Sequence, residues 1–163
     1  MIYVGFTFKH YREGKLLKTY KRRNLVTHEG LENSLTGIFN DQTYQSSNWW
    51  FGLIGSGTIT VNSTAASPGF TEYVNPGFTE RKAATLNQFA SNQDYTQVFS
   101  SGSIGIFEEA TINGCFVING GTGSPHAQPT LLAGFNFADP IDLIALDVVI
   151  ISYTLEIAGL IVP

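Results

Sequence analysis

The run Asn48-Trp49-Trp50-Phe51-Gly52-Leu53-Ile54-Gly55-Ser56-Gly57 constrains the fold more than any other stretch of the chain. It holds both tryptophans, carries no charge and ends in a Gly-Ser-Gly breaker. A short run of aromatic and branched residues closed by turn residues reads as a buried strand. Its rings and branched side chains bury large apolar areas, at about 25 cal/mol per Å². The strand is therefore the expected centre of a core that includes Trp50, Leu53, Phe116, Val149 and Ile151.

The rest of the chain repeats this logic in shorter pieces. Residues 2–8 alternate Ile2, Val4, Phe6 and Phe8 against Tyr3, Gly5 and Thr7, a period-2 strand with one apolar face. Gly14 closes a turn, and residues 16–23 return as a second strand. Lys18, Tyr20 and Arg22 share one side of it, and Leu17, Thr19, Lys21 and Arg23 the other. Charge on both faces predicts a hairpin that projects from the body or forms its edge. Thr27 is a good N-cap, and Glu29 suits the positive end of a helix dipole. Leu31, Leu35, Ile38 and Phe39 then make one helical stripe, predicting a helix over about 28–39. Thr58–Val61 is a candidate short strand after the Gly55–Gly57 turn.

A small repeat follows. Pro68-Gly69-Phe70-Thr71-Glu72-Tyr73 recurs as Pro76-Gly77-Phe78-Thr79-Glu80-Arg81. Each Pro-Gly reads as a turn and each Phe-Thr-Glu as a short extended piece, so the segment is an expected surface loop carrying contacts. Its candidate partner-binding residues are Phe70, Glu72, Tyr73, Phe78, Glu80 and Arg81. Downstream, strands are expected at Ser103–Ile112, Cys115–Ile118 and Leu131–Phe137, with a turn at Asp139-Pro140 and one long central strand over Leu143–Ile157. Around eight short strands with one helix predict an all-β fold: a single-domain β-sandwich of jelly-roll type. Residues 1–26 would be its N-terminal hairpin arm, and residues 27–163 the body.

Charge is unevenly placed. Seven of the nine Lys and Arg lie in residues 1–23, opposed only by Glu13, while residues 24–163 hold two basic and twelve acidic residues. The arm is thus +6 and the body -10. Such asymmetry suits an arm that docks on an acidic surface, a neighbouring copy's body included. The candidate contacts are Lys9, Arg12, Lys15, Lys18, Lys21, Arg22 and Arg23. Edge lysines also block strand-to-strand aggregation, which is the competing role. Nucleic acid is the rival ligand, since Tyr11 and Tyr20 lie among the cations, but the acidic body would repel a polyanion. Only 13% of residues are charged, about half the usual share. That suits a surface covered by partners, or one rich in Ser, Thr, Asn and Gln.

No chemical site can be assembled. His10, His28 and His126 lack metal-ligand spacing and read as satisfied surface histidines. Glu108 and Glu109 are adjacent, so on a strand they face opposite ways. Gly55-Ser56-Gly57 lacks the surroundings of a nucleophile elbow, and no phosphate loop is present. Cys115, the single cysteine, sits in an apolar run and reads as a buried thiol. The expectation is a non-enzymatic protein with no cofactor and no metal. No signal peptide is visible, and the longest apolar run is too short to span a membrane, so synthesis in a cytoplasm and no membrane partner are expected.

The order of these features resembles a group of small tailed-bacteriophage virion proteins of the head decoration, or cement, type. The likeness runs through Asn24-Leu25-Val26-Thr27, Gly30-Leu31, Trp49-Trp50-Phe51-Gly52-Leu53-Ile54-Gly55, Pro68–Tyr73, Ile112-Asn113-Gly114-Cys115-Phe116 and Tyr153-Thr154-Leu155. The Pro76–Arg81 copy has no counterpart in that pattern. The resemblance implies a protein of the outer capsid surface that binds and bridges major capsid protein subunits as a dimer or trimer. The alternative is a tail or fibre module recognising a host surface glycan.

Overall fold

A computed structural model describes residues 2–23, 25–33, 49–74, 81–90, 94–101, 104–119 and 130–158. The strands in chain order are β1 (Ile2–Arg12), β2 (Lys15–Arg23), β3 (Leu25–Val26), β4 (Trp49–Gly57), β5 (Phe70–Tyr73), β6 (Lys82–Ala90), β7 (Asp94–Ser101), β8 (Ile104–Gly105), β9 (Ala110–Asn119), β10 (Thr130–Leu143) and β11 (Val148–Ala158). Residues 28–33 form the helix α1. Every ladder is antiparallel.

The strands make two layers. One runs β2-β1-β11-β7-β6, and the other β6-β4-β9-β10-β3, with β8 beside β11 and β5 beside β4. Strand β6 belongs to both: Lys82 and Ala83 pair with β4, while Ala84–Ala90 pair with β7. A strand that changes sheets is one way for two layers to share a corner. Ring contacts cross the gap between the layers. Phe6 of β1 meets Phe51 and Phe135 at 6.5 and 5.5 Å, Phe8 meets Phe137 at 5.0 Å, and Trp49 meets Tyr153 at 5.9 Å. The fold is an all-β sandwich with one short helix. A jelly-roll connection pattern is a finer assignment than these ladders make.

The main core lies between the layers and includes Phe6, Phe8, Trp49, Phe51, Leu53, Cys115, Val117, Phe135, Val149 and Ile151. A second apolar cluster, Ile54, Ile59, Phe116, Ile118 and Leu131, sits on the outer face of the β4–β9–β10 layer. Alternation explains the split: neighbours on a strand face opposite ways. Leu53, Val149 and Ile151 are in the main core as expected. Phe116 is buried in the second cluster, and Trp50 is half-buried against it. Trp49, not Trp50, faces the inter-sheet core with Phe51 and Leu53, because those three share a parity.

Several boundaries differ from expectation. Gly55–Gly57 does not end β4, which runs on to Gly57 to pair with β5. Only Gly57 takes positive φ there, at 78°. Thr58–Val61 is not a strand; its backbone turns and is held by Asn136, whose side chain bonds both Ile59 N and Ile59 O. The Ser103–Ile112 strand is broken at residues 106–109 into β8 and β9. Asp139-Pro140 is not a turn, because β10 passes through it at a register shift between Asn136 and Ile141. Proline is tolerated in a strand at such an irregularity. The long C-terminal strand begins at Val148, after a turn at residues 144–147.

The N-terminal hairpin forms a sheet edge. Strand β1 pairs with β11 from Ile2↔Ile157 to Tyr11↔Val148, and Phe6 and Phe8 are core residues, so β1 is built into the body on its inner side. β3 joins β10 at Ala133↔Val26. Thr27 caps α1, with its Oγ1 accepting from Gly30 N at 2.9 Å and donating to the Leu131 carbonyl at 2.5 Å. The helix is pressed onto β10 through Gly30, where a Cβ would sit on the Leu132 carbonyl oxygen. Leu31 is exposed, so the buried side of the first turn is Thr27 and Gly30 and not the leucine stripe. Leu35, Ile38 and Phe39 lie outside the described residues.

Candidate functional site

Strand β2 is the end strand of its sheet. It is bonded to β1 on one side and to no other strand among the described residues. Its sequence is Lys15-Leu16-Leu17-Lys18-Thr19-Tyr20-Lys21-Arg22-Arg23, and every residue but Tyr20 is exposed. Register with β1 sets the two faces. Lys18, Tyr20 and Arg22 lie opposite His10, Phe8 and Phe6, on the core side; Thr19 and Lys21 lie opposite Lys9 and Thr7, on the outer side. Tyr20 covers the core rim, packing on Phe8 and Phe137 at 5.9 and 4.9 Å. Lys18 Nζ lies 4.7 Å from the centre of the Tyr20 ring, a cation–π contact. Lys18 and Arg22 thus ride beyond the edge of the core, where their charges stay in water.

The basic residues do not all have one use. Lys15, Lys18, Lys21, Arg22 and Arg23 are exposed on β2, and Lys9 is half-buried on the outer face of β1. Arg12 instead turns inward. Its Nε and Nη2 donate to Asp147 Oδ1 and Oδ2 at 2.8 and 2.9 Å. His10 Nε2 lies 2.8 Å from Oδ2, and Ile144 N donates to the same oxygen at 3.0 Å. Asp147 is fully buried, and His10 is 5% exposed, so His10 is a satisfied buried histidine and not a surface one. The bidentate Arg12 bond, helped by Ile144 N–H and His10, holds the Asp147 carboxyl well below its usual range despite burial. This cluster ties the hairpin turn to the turn at residues 144–147.

That second turn presents Leu146, 83% exposed at φ 74°. Leu146 N donates to Ile106 O at 2.7 Å and Ile106 N to Asp147 O at 2.8 Å, so the turn is pinned to the segment that carries exposed Phe107. Nothing in the sequence singled out Asp147 beyond its interrupting an apolar run. Its partners lie 135 and 137 positions away.

The first copy of the repeat packs on the second apolar cluster through Phe70. The Phe70 ring meets Phe116 in a tilted contact at 5.0 Å. Arg81, from the second copy, bonds Glu72 of the first, with Nε–Oε1 at 2.9 Å and Nη2–Oε2 at 2.8 Å, and its guanidinium lies 5.5 Å from the Phe116 ring centre. Glu72 and Arg81 are therefore joined to each other within the chain. They wall a hollow of about 140 Å³ floored by Phe70, Phe116, Ile118 and Leu131. Tyr73 is half-buried against the main core, and burial with nearby Glu108 raises its hydroxyl above the ordinary value. Phe78 and Glu80 lie outside the described residues, as does His126. His28 is exposed at the start of α1.

Among the described residues no three His, Cys, Asp or Glu side chains are grouped as a metal site, and no helix is long and apolar enough to cross a membrane. Comparison with protein-family models, curated proteins and solved structures found no match. The residues with the clearest outward potential are the cations of β2.

Proposed function

We propose that this protein is a non-enzymatic bacteriophage structural protein, a capsid decoration protein that binds and bridges major capsid protein subunits and stabilises the head. The observation that carries the docking part is β2: five cations on a nine-residue end strand, on both of its faces and all exposed. The virion assignment rests on the motif order from Asn24 to Leu155 described above. Lys15, Lys18, Lys21, Arg22 and Arg23 are the docking residues, with Lys9 beside them on β1. Arg12 is their internal anchor and holds the hairpin in place through Asp147. Each exposed ion pair contributes only about 0–1 kcal/mol, so a hold on the capsid needs several pairs repeated over an oligomer. A dimer or trimer bound across neighbouring capsid subunits supplies that repetition.

Copy number tests the station in the particle. A decoration protein occurs in a fixed, near-stoichiometric ratio to the major capsid protein, and its deletion lowers the temperature at which heads rupture. A band corresponding to only a few copies per particle, with unchanged head stability on deletion, would move the protein to the tail or fibre.

A further inference from the structure

We propose that β2 binds its partner by strand addition: an acidic, extended segment of another chain pairs antiparallel or parallel along the open side of β2. This rests on the reading above that β2 is the surface that meets a partner, and it specifies how.

Three features of β2 point there. Among the described residues it has β1 on one side and no strand on the other, and at nine residues it is long for such an edge, against about 5–6 for a typical strand. The register shift in the β1–β2 ladder falls at His10/Tyr11, so Thr19 to Arg23 remain regularly paired on their β1 side. Among the described residues no strand pairs with the opposite side of Thr19 to Arg22. Finally, the edge is not merely guarded by charge. Leu16 and Leu17 are 46% and 47% exposed; Leu16 lies opposite Tyr11 on the outer side, and Leu17 is the extra residue at the register shift. Exposed leucines work against a purely protective role and add apolar contact for an incoming strand.

Charge selects the occupant. Pairing β2 with β2 of a second copy would set five cations against five across a spacing of about 4.8 Å, which like-charge repulsion opposes. The sheet's other end is the two-residue strand β3, too short to serve as a donor. An acidic segment with carboxylates at both parities meets the cations of both faces. Main-chain bonds then supply affinity, and the alternating side chains supply selectivity.

The test uses the full chain and a ten-residue peptide of Glu and Thr, with Glu at both parities, labelled for fluorescence anisotropy. Two further peptides carry N-methyl groups, one on alternate residues and one on every residue. The alternately methylated peptide can turn its unmethylated edge to β2 and should bind within about twofold of the unmodified one, while methylation of every residue should weaken binding at least about tenfold. A Gln-for-Glu peptide should bind weakly, as should the chain with Lys18, Lys21, Arg22 and Arg23 all replaced by Ser. Equal binding of both N-methylated peptides, with charge dependence retained, overturns strand addition but leaves a side-chain electrostatic anchor standing. Absence of binding to the unmodified peptide at millimolar concentration also overturns strand addition. Self-association lost in the quadruple Ser variant would assign the edge to a second copy and overturn the acidic-partner assignment. None of these outcomes decides whether the protein resides on a phage head, which the copy-number measurement decides.

Discussion

Replacing Asp147 with Asn tests the inward use of the basic hairpin. The carboxylate accepts four bonds: Arg12 Nε at Oδ1, and Arg12 Nη2, Ile144 N and the His10 ring nitrogen at Oδ2. An Asn oxygen placed at the Oδ2 position keeps those three contacts, but its NH₂ then faces the Arg12 Nε donor. The loss is one ionic hydrogen bond and the charge that balances Arg12. A hydrogen bond to a charged group contributes about 1.5–3 kcal/mol, and breaking a fully buried pair costs about 3–5 kcal/mol. The Arg12 side chain is 38% exposed and recovers hydration, so about 2–3 kcal/mol is expected. At about 2–4 °C per kcal/mol for a domain this size, the melting temperature should fall by about 4–12 °C at pH 7.

The pH dependence follows from the sign of the shift. The Asp147 carboxyl is depressed in the folded state, so its contribution is complete above its unfolded value of about 3.9 and is lost as pH falls toward the folded value. The gap between wild type and Asp147→Asn should be full at pH 7 and narrow below about pH 4, at up to about 1.4 kcal/mol per pH unit. Urea unfolding followed by tryptophan fluorescence at several pH values measures it. A gap under about 0.5 kcal/mol at pH 7, or one that stays constant down to pH 2.5, would refute the assignment of Asp147 as a buried ionised acceptor.

Other positions give sharper local outcomes. Leu146→Gly should raise stability by about 1 kcal/mol, because the residue is exposed and its backbone lies where glycine is favoured; a loss in thermal unfolding would show that Leu146 packs on something. Gly114→Ala should cost at least about 1–3 kcal/mol, since its Cβ would sit on the Phe135 carbonyl between β9 and β10; wild-type stability in urea would contradict that packing. Cys115, fully buried with its thiol raised by burial, should resist a thiol reagent at pH 8 until urea unfolds the chain, and prompt native labelling would contradict its burial.

What the sequence made legible was local. Period-2 alternation in residues 2–8 found β1, and the cations of residues 15–23 identified β2 as a strand that cannot be buried on both faces. The Pro68-Gly69 turn signal made Phe70–Tyr73 readable as a short extended piece, which is β5. Parity within the aromatic run groups Trp49, and not the expected Trp50, with Phe51 and Leu53. Gly55–Gly57 and Asp139-Pro140 looked like turns because glycine and proline usually break strands, but β5 pairing and a register shift let the strands continue. The Arg12–Asp147–His10 cluster and the Glu72–Arg81 pair depend on contacts that the fold creates. No spacing rule marks a carboxylate that meets an arginine 135 positions away. Arg12 therefore looked like one more outward cation.

If β2 is an electrostatic anchor, its exposed cations hold the protein on the head. The direct measurement is occupancy of the chain with Lys18, Lys21, Arg22 and Arg23 replaced by Ser on heads that lack the protein, titrated from low to high salt. These four residues are exposed, so the variant should fold with an unchanged circular dichroism spectrum. Wild type should saturate the heads at low salt and weaken as salt rises, and the variant should bind poorly throughout. A folded variant that saturates the heads with wild-type affinity and salt response would contradict the claim and leave edge protection as the role of the basic strand.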